Sequence, residues 1–494
     1  MKITLAGFNV DYDILKKFKK SKGGKAPLTP EVFSAAYARI SRSPKTIAEL
    51  RRNAKQEIEK ARKANRKIIF AMGHHSVAEH AVFNFDIIGI SRLLTEEIEK
   101  FRLCSYTEKS QRYIKLKGDF VVPREIAKSR YLEKFEKVIN MGIKFYHKLY
   151  KRIVKSEEGK LRKSPKKEEK KCLKLKANED ARYILSLSQK TQLGETINAR
   201  NLELLLRRFA SHELEEAKEL GGKMFRLVKK IAPSIILFYR ENAFDKRTYP
   251  ELRKSIEGLE GKKKRVVKED VHLVDWTRDA DILVLATILH SSSKLSFNNS
   301  FEIAKSMNHN KMRDFIIKTF EHMELYDAVL REFEYAHLTF ALVVSASCFA
   351  QLKRHRQATI TSQRYNPELG VTIPQSVYET GMDKEFREII EITDDLFYQM
   401  RKKLSVASQY VLTNAHRKSV LFSVNTRELY HISRLREDEH AQWEIRDKTR
   451  KMVNLAKGVM PLTLLLTGGK DRYPEIYKEI FGKYPKVIKS VLPT

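Results

Sequence analysis

Two stretches of this chain run through the same motifs in the same order. The first opens with GHHSVAEHAVFNF (73–85), continues to YTEKSQRYI (106–114) and FVVP (120–123), and reaches ARYILSLSQKTQLGETINARNLELLLRRFASHELEEA (181–217). The second opens with REFEYAHLTFALV (331–343), continues to RHRQATITSQRYN (354–366) and VTIP (371–374), and reaches SQYVLTNAHRKSVLFSVNTRELYHISRLREDEHAQWEI (408–445). Arg182 precedes Asn198 by 16 residues, and Gln409 precedes Asn425 by 16. An arginine follows each asparagine at the second position, Arg200 or Arg427, and each half then has Arg-x-x-x-His, Arg208 with His212 and Arg436 with His440. Matching order and spacing point to an internal repeat of about 200 residues. A chain so built must fold the same supersecondary unit twice.

The junction is expected where SIEGLEGKKKRVVKED loses apolar period, which predicts one domain over 1–262 and another over 263–494. The fold class is α/β (mixed α+β), twice. VHLVDW echoes MKITLAGF as a strand, and TRDADILVLATILHSSS echoes PLTPEVFSAAYARISRS as a helix. AVFNF, FVVP, YILSLS and YVLTNA are further strand candidates. Helices are expected over 28–40, 45–70, 86–103, 124–153 and 200–230, then 305–330, 338–353, 381–408 and 427–460. Leu202, Leu205, Leu206 and Phe209, for example, recur at helical spacing.

The formal charge of +34, from 96 Lys+Arg against 62 Asp+Glu, favours anionic partners without choosing among nucleic acid, nucleotides and phosphorylated cofactors. Part of the excess lies in a charged insertion, about 153–178, which overlaps KRIVKSEEGKLRKSPKKEEKKCLKLKA (151–177). It has no apolar period and is read as solvated and partly disordered, with nucleic acid as a less favoured partner. No run of 18 apolar residues is present, so no membrane partner is expected. The N-terminal stretch lacks a signal-peptide pattern, and Cys104, Cys172 and Cys348 match no metal spacing. A cytoplasmic location is therefore expected.

Several groups could carry chemistry. Arg354, His355 and Arg356 follow the apolar run FALVVSASCFAQL, which predicts a buried helix ending in cations. Arginine forks suit phosphate and carbonyl edges; a basic helix end on the surface is the bland alternative. Glu108, Ser110 and Arg112 alternate, so an extended backbone would put them on one side, matching a nucleoside monophosphate or making a self-bonded polar loop. Asn198 and Asn425 suit N-caps or amide readout of a ring edge. Buried arginines need partners, and Asp438 and Glu439 could serve Arg436. His212 and His440 suit packed positions. His75, Glu79 and His80 follow no standard metal array, and Glu79 and Glu334 could instead anchor cations. No metal site is expected. No Gly-rich phosphate loop is present, so catalysis would come from a cofactor held by arginines.

The series GHHSVAEH, RHR followed by SQRY, NTR and LREDEHAQWEI resembles the flavin-dependent thymidylate synthase family. The resemblance implies two tandem synthase-like domains forming a pseudo-dimer, and a homodimer of such chains in place of the family's homotetramer. It implies reductive methylation of dUMP to dTMP, with methylenetetrahydrofolate as carbon donor, NADPH as reductant and FAD as cofactor. Arg354, His355 and Arg356 match the flavin-site triplet, and Asn425 and Arg427 match flavin-region residues. Gln351 matches a glutamine near the base. Glu108, Ser110, Arg112 and Arg182 match the nucleotide set. Arg436 matches the arginine that activates the pyrimidine.

The departures divide between the halves. Glu99, Lys100 and Phe101 precede Arg102, so the first half lacks Arg-His-Arg. The second half has five residues between Arg356 and Ser362 where the family has seven, Gln409 in place of Arg182, and His431 where the family prefers asparagine. Neither half alone carries the full set and together they nearly do, which implies a composite residue set. The alternatives are a diverged member that uses flavin or nucleotide for another reaction, and a nucleic-acid-binding or structural protein.

Overall fold

The computed structural model describes residues 1–20, 28–160, 167–256, 259 and 270–488. It contains two four-stranded antiparallel sheets of matching topology. In the first, β1 (Lys2–Phe8), β2 (Val82–Ser91), β3 (Ser105–Glu108) and β4 (Lys190–Asn198) lie in the order β1-β2-β4-β3. In the second, β5 (Val271–Trp276), β6 (His337–Ser345), β7 (Thr359–Ser362) and β8 (Arg417–Asn425) lie in the order β5-β6-β8-β7. In each sheet one of the two central strands, β2 or β6, alternates buried and more exposed residues. Phe83, Phe85 and Ile87 point inward from β2, and Leu338, Phe340, Leu342 and Val344 from β6. Burying each such side chain stabilises the fold by ~1.5–3 kcal/mol.

That alternation corrects two helix expectations. Residues 86–103 and 338–353 are not continuous helices: each completes a strand and then a short helix, Arg92–Ile98 or Ala346–Leu352. Serine makes the change of direction in both. Ser91 Oγ accepts from Leu94 N, and Ser345 Oγ from Cys348 N. A buried glutamate then braces each serine. Glu216 accepts from Ser91 N and Oγ at 2.8 and 2.6 Å, and Glu444 from Ser345 N and Oγ at 3.1 and 2.5 Å. FVVP, YILSLS and YVLTNA form no strand; Phe120 and Ser186 make single bridges, to Gln189 and Thr413, and the rest is turn and 3₁₀ helix.

The helices expected over 200–230, 381–408 and 427–460 are present as Ala199–Ala210 with Glu215–Val228, Asp383–Leu404, and Thr426–Arg436 with Trp443–Lys457. The insertion is a further correction. The helix Leu132–Glu158 runs into it and Lys167–Ala181 is helical, burying Leu173 and Ala177; residues 161–166 lie outside the described residues. So does the expected junction at 262/263.

Contacts divide the chain into two compact units, 1–264 with 374–413, and 265–373 with 414–494. A segment of the second repeat thus folds into the first unit. There Phe386 meets Phe145 edge-on, Tyr131 Oη donates to Gln399 O, Ser376 Oγ donates to Asp180, and Tyr410 Oη donates to Glu216.

Candidate active site

In the second unit the helix Ala346–Leu352 stops before Arg354-His355-Arg356, so the triplet occupies the following turn rather than the helix end expected for it. The turn separates the three side chains. Arg354 and Arg356 are exposed, while His355 is 3 % exposed. Arg436, at the last position of the helix Thr426–Arg436, donates from Nε to His355 Nε2 at 3.0 Å, and from Nη2 to Gln351 O at 3.4 Å. A guanidinium only donates, so Nε2 must accept and the imidazole proton sits on Nδ1. Nδ1 lies 3.6 Å from Glu428 Oε1, too long for a hydrogen bond but close enough to favour that tautomer. Burial, then Arg436, then His431 push the His355 pKa well down, so the ring is neutral near pH 7. Burial raises the Glu428 pKa against His431 and Arg427.

Gln351 is buried beside this pair. Its Nε2 reaches Ser347 O and Gln442 Oε1, both at 3.4 Å, whereas Oε1 has no partner among the described residues. Gln442 is itself fixed, because its Oε1 accepts from Glu444 N and Ile445 N at the head of the helix Trp443–Lys457. Asn425 Oδ1 caps the helix Thr426–Arg436 by accepting from Glu428 N, and Asn198 Oδ1 does the same for Asn201 N. The cap uses only the amide oxygen. Arg427 pairs with Glu334 at 2.7 Å and donates to Val329 O. Arg436 meets His355 and Gln351 rather than the acids expected for it. Asp438 faces its own loop, accepting from His440 N, and His440 is exposed rather than packed.

In the first unit β3 ends at Glu108, which accepts from Thr191 Oγ1 at 3.2 Å. The backbone turns from Gln111, so the extended segment expected over 108–112 stops short. Ser110 Oγ accepts from Arg112 N, a local turn bond. Arg112 lies 3.4 Å from Glu179, and Arg182 donates from Nε to Glu179 O. Glu179 therefore gathers two of the expected nucleotide-binding arginines. Its own pKa is raised by burial against the pull of both. Arg182 is 5 % exposed, and burial lowers its pKa.

The degenerate triplet has its own chemistry. Phe101 stands in the first repeat where His355 stands in the second, and Arg208 lies 5.7 Å from the Phe101 ring centroid. His212 is half-buried, accepts from Leu214 N and lies 3.3 Å from Glu97. Glu79 pairs with Arg200 at 2.5 Å, repeating the Glu334–Arg427 contact and meeting the expectation that these glutamates anchor cations. His75 packs on Phe70 and His80 on Tyr37.

Glu179, Glu428 and Gln442 were missed as site residues. Gln442 lies inside LREDEHAQWEI and was findable there; Glu179 and Glu428 sit three residues from Arg182 and Asn425, a spacing that helices use for many purposes.

Comparison with known proteins agrees with the repeat. The family described as thymidylate synthase complementing protein matches twice, over residues 26–234 and 272–462. A flavin-dependent thymidylate synthase from Clostridium tetani is 31% identical over 216 residues, 42% of this chain and 82% of that protein. A UPF0159 protein from Thermoplasma acidophilum is 22% identical over 447 residues, 80% of this chain and 86% of that one. A structure of thymidylate synthase X from Helicobacter pylori with FAD and dUMP aligns over 46% of this chain and 93% of that chain, at 21% identity. Its TM-score of 0.28 carries no argument. The chain belongs to the flavin-dependent thymidylate synthase family and carries the family domain twice in tandem.

Proposed function

We propose that this chain methylates dUMP to dTMP, using methylenetetrahydrofolate for the carbon, NADPH for reducing equivalents and FAD as cofactor. The supporting observation is the Arg436–His355 pair beside a buried Gln351 acceptor with no partner among the described residues. A buried acceptor without a donor is unfavourable by ~1–3 kcal/mol, which a bound imide N–H would relieve. Arg436, oriented through Nε by a neutral imidazole, stabilises negative charge developing on the pyrimidine. Glu108, Ser110, Arg112 and Arg182 bind and orient the nucleotide, the arginines taking its phosphate.

The residues present fit a flavin. Exposed Arg354 and Arg356 offer forked donors to its phosphates and carbonyl edges, and Asn425 and Arg427 complete the assignment. Bound flavin supplies the electron chemistry that no side chain here can. His355 exchanges no proton in this scheme. It holds Arg436.

In this reading one chain acts as a pseudo-dimer, two chains assemble, and the protein works in the cytoplasm. A second reading, flavin or nucleotide chemistry of another kind, is favoured by the shortened connection after Arg356, which leaves Ser362 exposed at the end of β7. The test is the visible spectrum of purified protein in high salt, before and after dUMP. Flavin bands that shift with dUMP, followed by methyl transfer, are the expected result. A protein that binds no added FAD overturns the first reading and the flavin form of the second, and flavin bands indifferent to dUMP leave the second.

A further inference from the structure

The helix Leu132–Glu158 buries Phe135, Val138, Phe145, Leu149 and Ile153 along one stripe. The opposite stripe is a row of cations. From Lys137 to Lys155 the chain has six lysines and arginines and no acidic residue. Lys144, His147, Lys148, Lys151, Arg152 and Lys155 line a shallow groove of about 460 Å³. Lys148 is paired, 2.6 Å from Glu385. Among the described residues, Lys144, Lys151, Arg152 and Lys155 have no acidic partner. Glu157, the first acid beyond the row, is already held by Lys160 and Lys176.

The fold does not demand the whole of this charge. Aligning FVVP with VTIP makes Asp383–Leu404 the equivalent helix of the second repeat, and it buries Phe386, Ile389, Ile390 and Phe397 in the same manner. It carries Glu388 and Asp395 where the first has Lys137 and Lys144, and keeps cations, Lys402 and Lys403, only where the first has Lys151 and Arg152. A row of like charges over about 16 Å of helix repels itself unless an anion lies along it.

We infer that the Lys144–Lys155 face binds the phosphate backbone of a double-stranded nucleic acid, without reading sequence. A duplex presents one negative charge per about 1.7 Å of axis, so a row this long can meet several phosphates. Single strands are bound on stacking platforms, and no aromatic residue of this helix is among the exposed ones. A lipid surface takes an amphipathic helix with apolar residues beside the cations, and no large apolar side chain of this helix is exposed.

The test uses the full chain with fluorescein-labelled 20-base-pair DNA and RNA duplexes and the matching single strands, by anisotropy across a salt series. Lys144, Lys151, Arg152 and Lys155 are changed together to Gln; a control variant changes Lys167, Lys170, Lys171 and Lys174 to Gln. The first variant is expected to weaken duplex binding at least about tenfold and to flatten the logarithmic salt slope by about three to four. The control should lose less than about threefold. The inference is overturned if the wild type binds no duplex, if single strands or anionic vesicles bind more tightly, or if the control loses as much as the first variant. It is likewise overturned if the first variant keeps wild-type affinity and slope. Circular dichroism of both variants confirms that the helix is retained.

Discussion

Arg436 ends the helix Thr426–Arg436, Arg208 lies in the last turn of the equivalent helix Ala199–Ala210, matched by allowing a one-residue deletion, and what each meets differs. Arg436 gives a hydrogen bond to a neutral, buried imidazole, whereas Arg208 lies beside the ring of Phe101. Both contacts retain a guanidinium at the helix end. Only the imidazole supplies a lone pair that fixes the direction of Nε, and only it has a second nitrogen facing a carboxylate. The repeated fold therefore delivers an arginine twice and orients it through an imidazole lone pair once. A ring-face contact contributes about 0.5–1 kcal/mol and leaves the fork free to swing.

The largest expected effect separates the two arginines directly. Arg436→Ala should lower dUMP methylation by ~10²–10³-fold, while Arg208→Ala should leave turnover within about twofold and lower stability by no more than ~1 kcal/mol. Steady-state rates and thermal melts of the pair decide it; equal losses of turnover would remove the distinction. Next comes His355→Phe, which writes the first repeat's contact into the second. Turnover should fall on the order of 10²-fold through misorientation of Arg436, with bound flavin retained by absorbance.

The sheets offer a third contrast. Glu195 in β4 stands opposite Tyr106 and Phe85, where β8 of the second repeat has Phe422 opposite Ile360 and Phe340. It is 2 % exposed, and neither carboxylate oxygen has a hydrogen-bond partner among the described residues. Burial pushes its pKa from 4.5 up to about 8. Because the folded value lies above the unfolded one, this contribution to stability is whole below about pH 4.5 and lost as pH rises to about 8. Glu195→Gln should cut the fall in melting stability between pH 5 and pH 9 by on the order of 2 kcal/mol. An unchanged pH profile would place ionisable strain elsewhere.

The smallest effect belongs to Glu428→Gln. Losing the carboxylate lets the imidazole proton move to Nε2 in a larger fraction of molecules, which breaks the Arg436 bond in that fraction. A loss of roughly threefold to tenfold in turnover is expected, with KM for dUMP and the melting point unchanged. A fall in stability with normal turnover would make Glu428 a structural residue only.

Much of this was legible in advance. The duplicated motifs predicted two matching domains, and the two family matches and two sheets agree. Asn198 and Asn425 were readable as caps because an amide before a helical run has a short-range task. The strand-to-helix junctions after Ser91 and Ser345 were misread. Both strands run straight into apolar helices, and a continuous apolar stretch hides the change from period two to period 3.6. The contacts of the candidate site were not legible: Arg436 was singled out, but its expected acids were chain neighbours and it bonds to His355, 81 residues away.

The sequence by itself determined the repeat, the family and the loss of the first Arg-His-Arg, because these are matters of residue identity and spacing. Tertiary structure decided which groups meet. It left His355 buried between two exposed arginines, brought Arg112 and Arg182 to Glu179, and folded residues 374–413 into the first unit. The physical reason is that hydrogen bonds, ion pairs and burial reward proximity in space. Which distant side chains become close depends on how whole sheets and helices bury their apolar faces, and no local pattern records that.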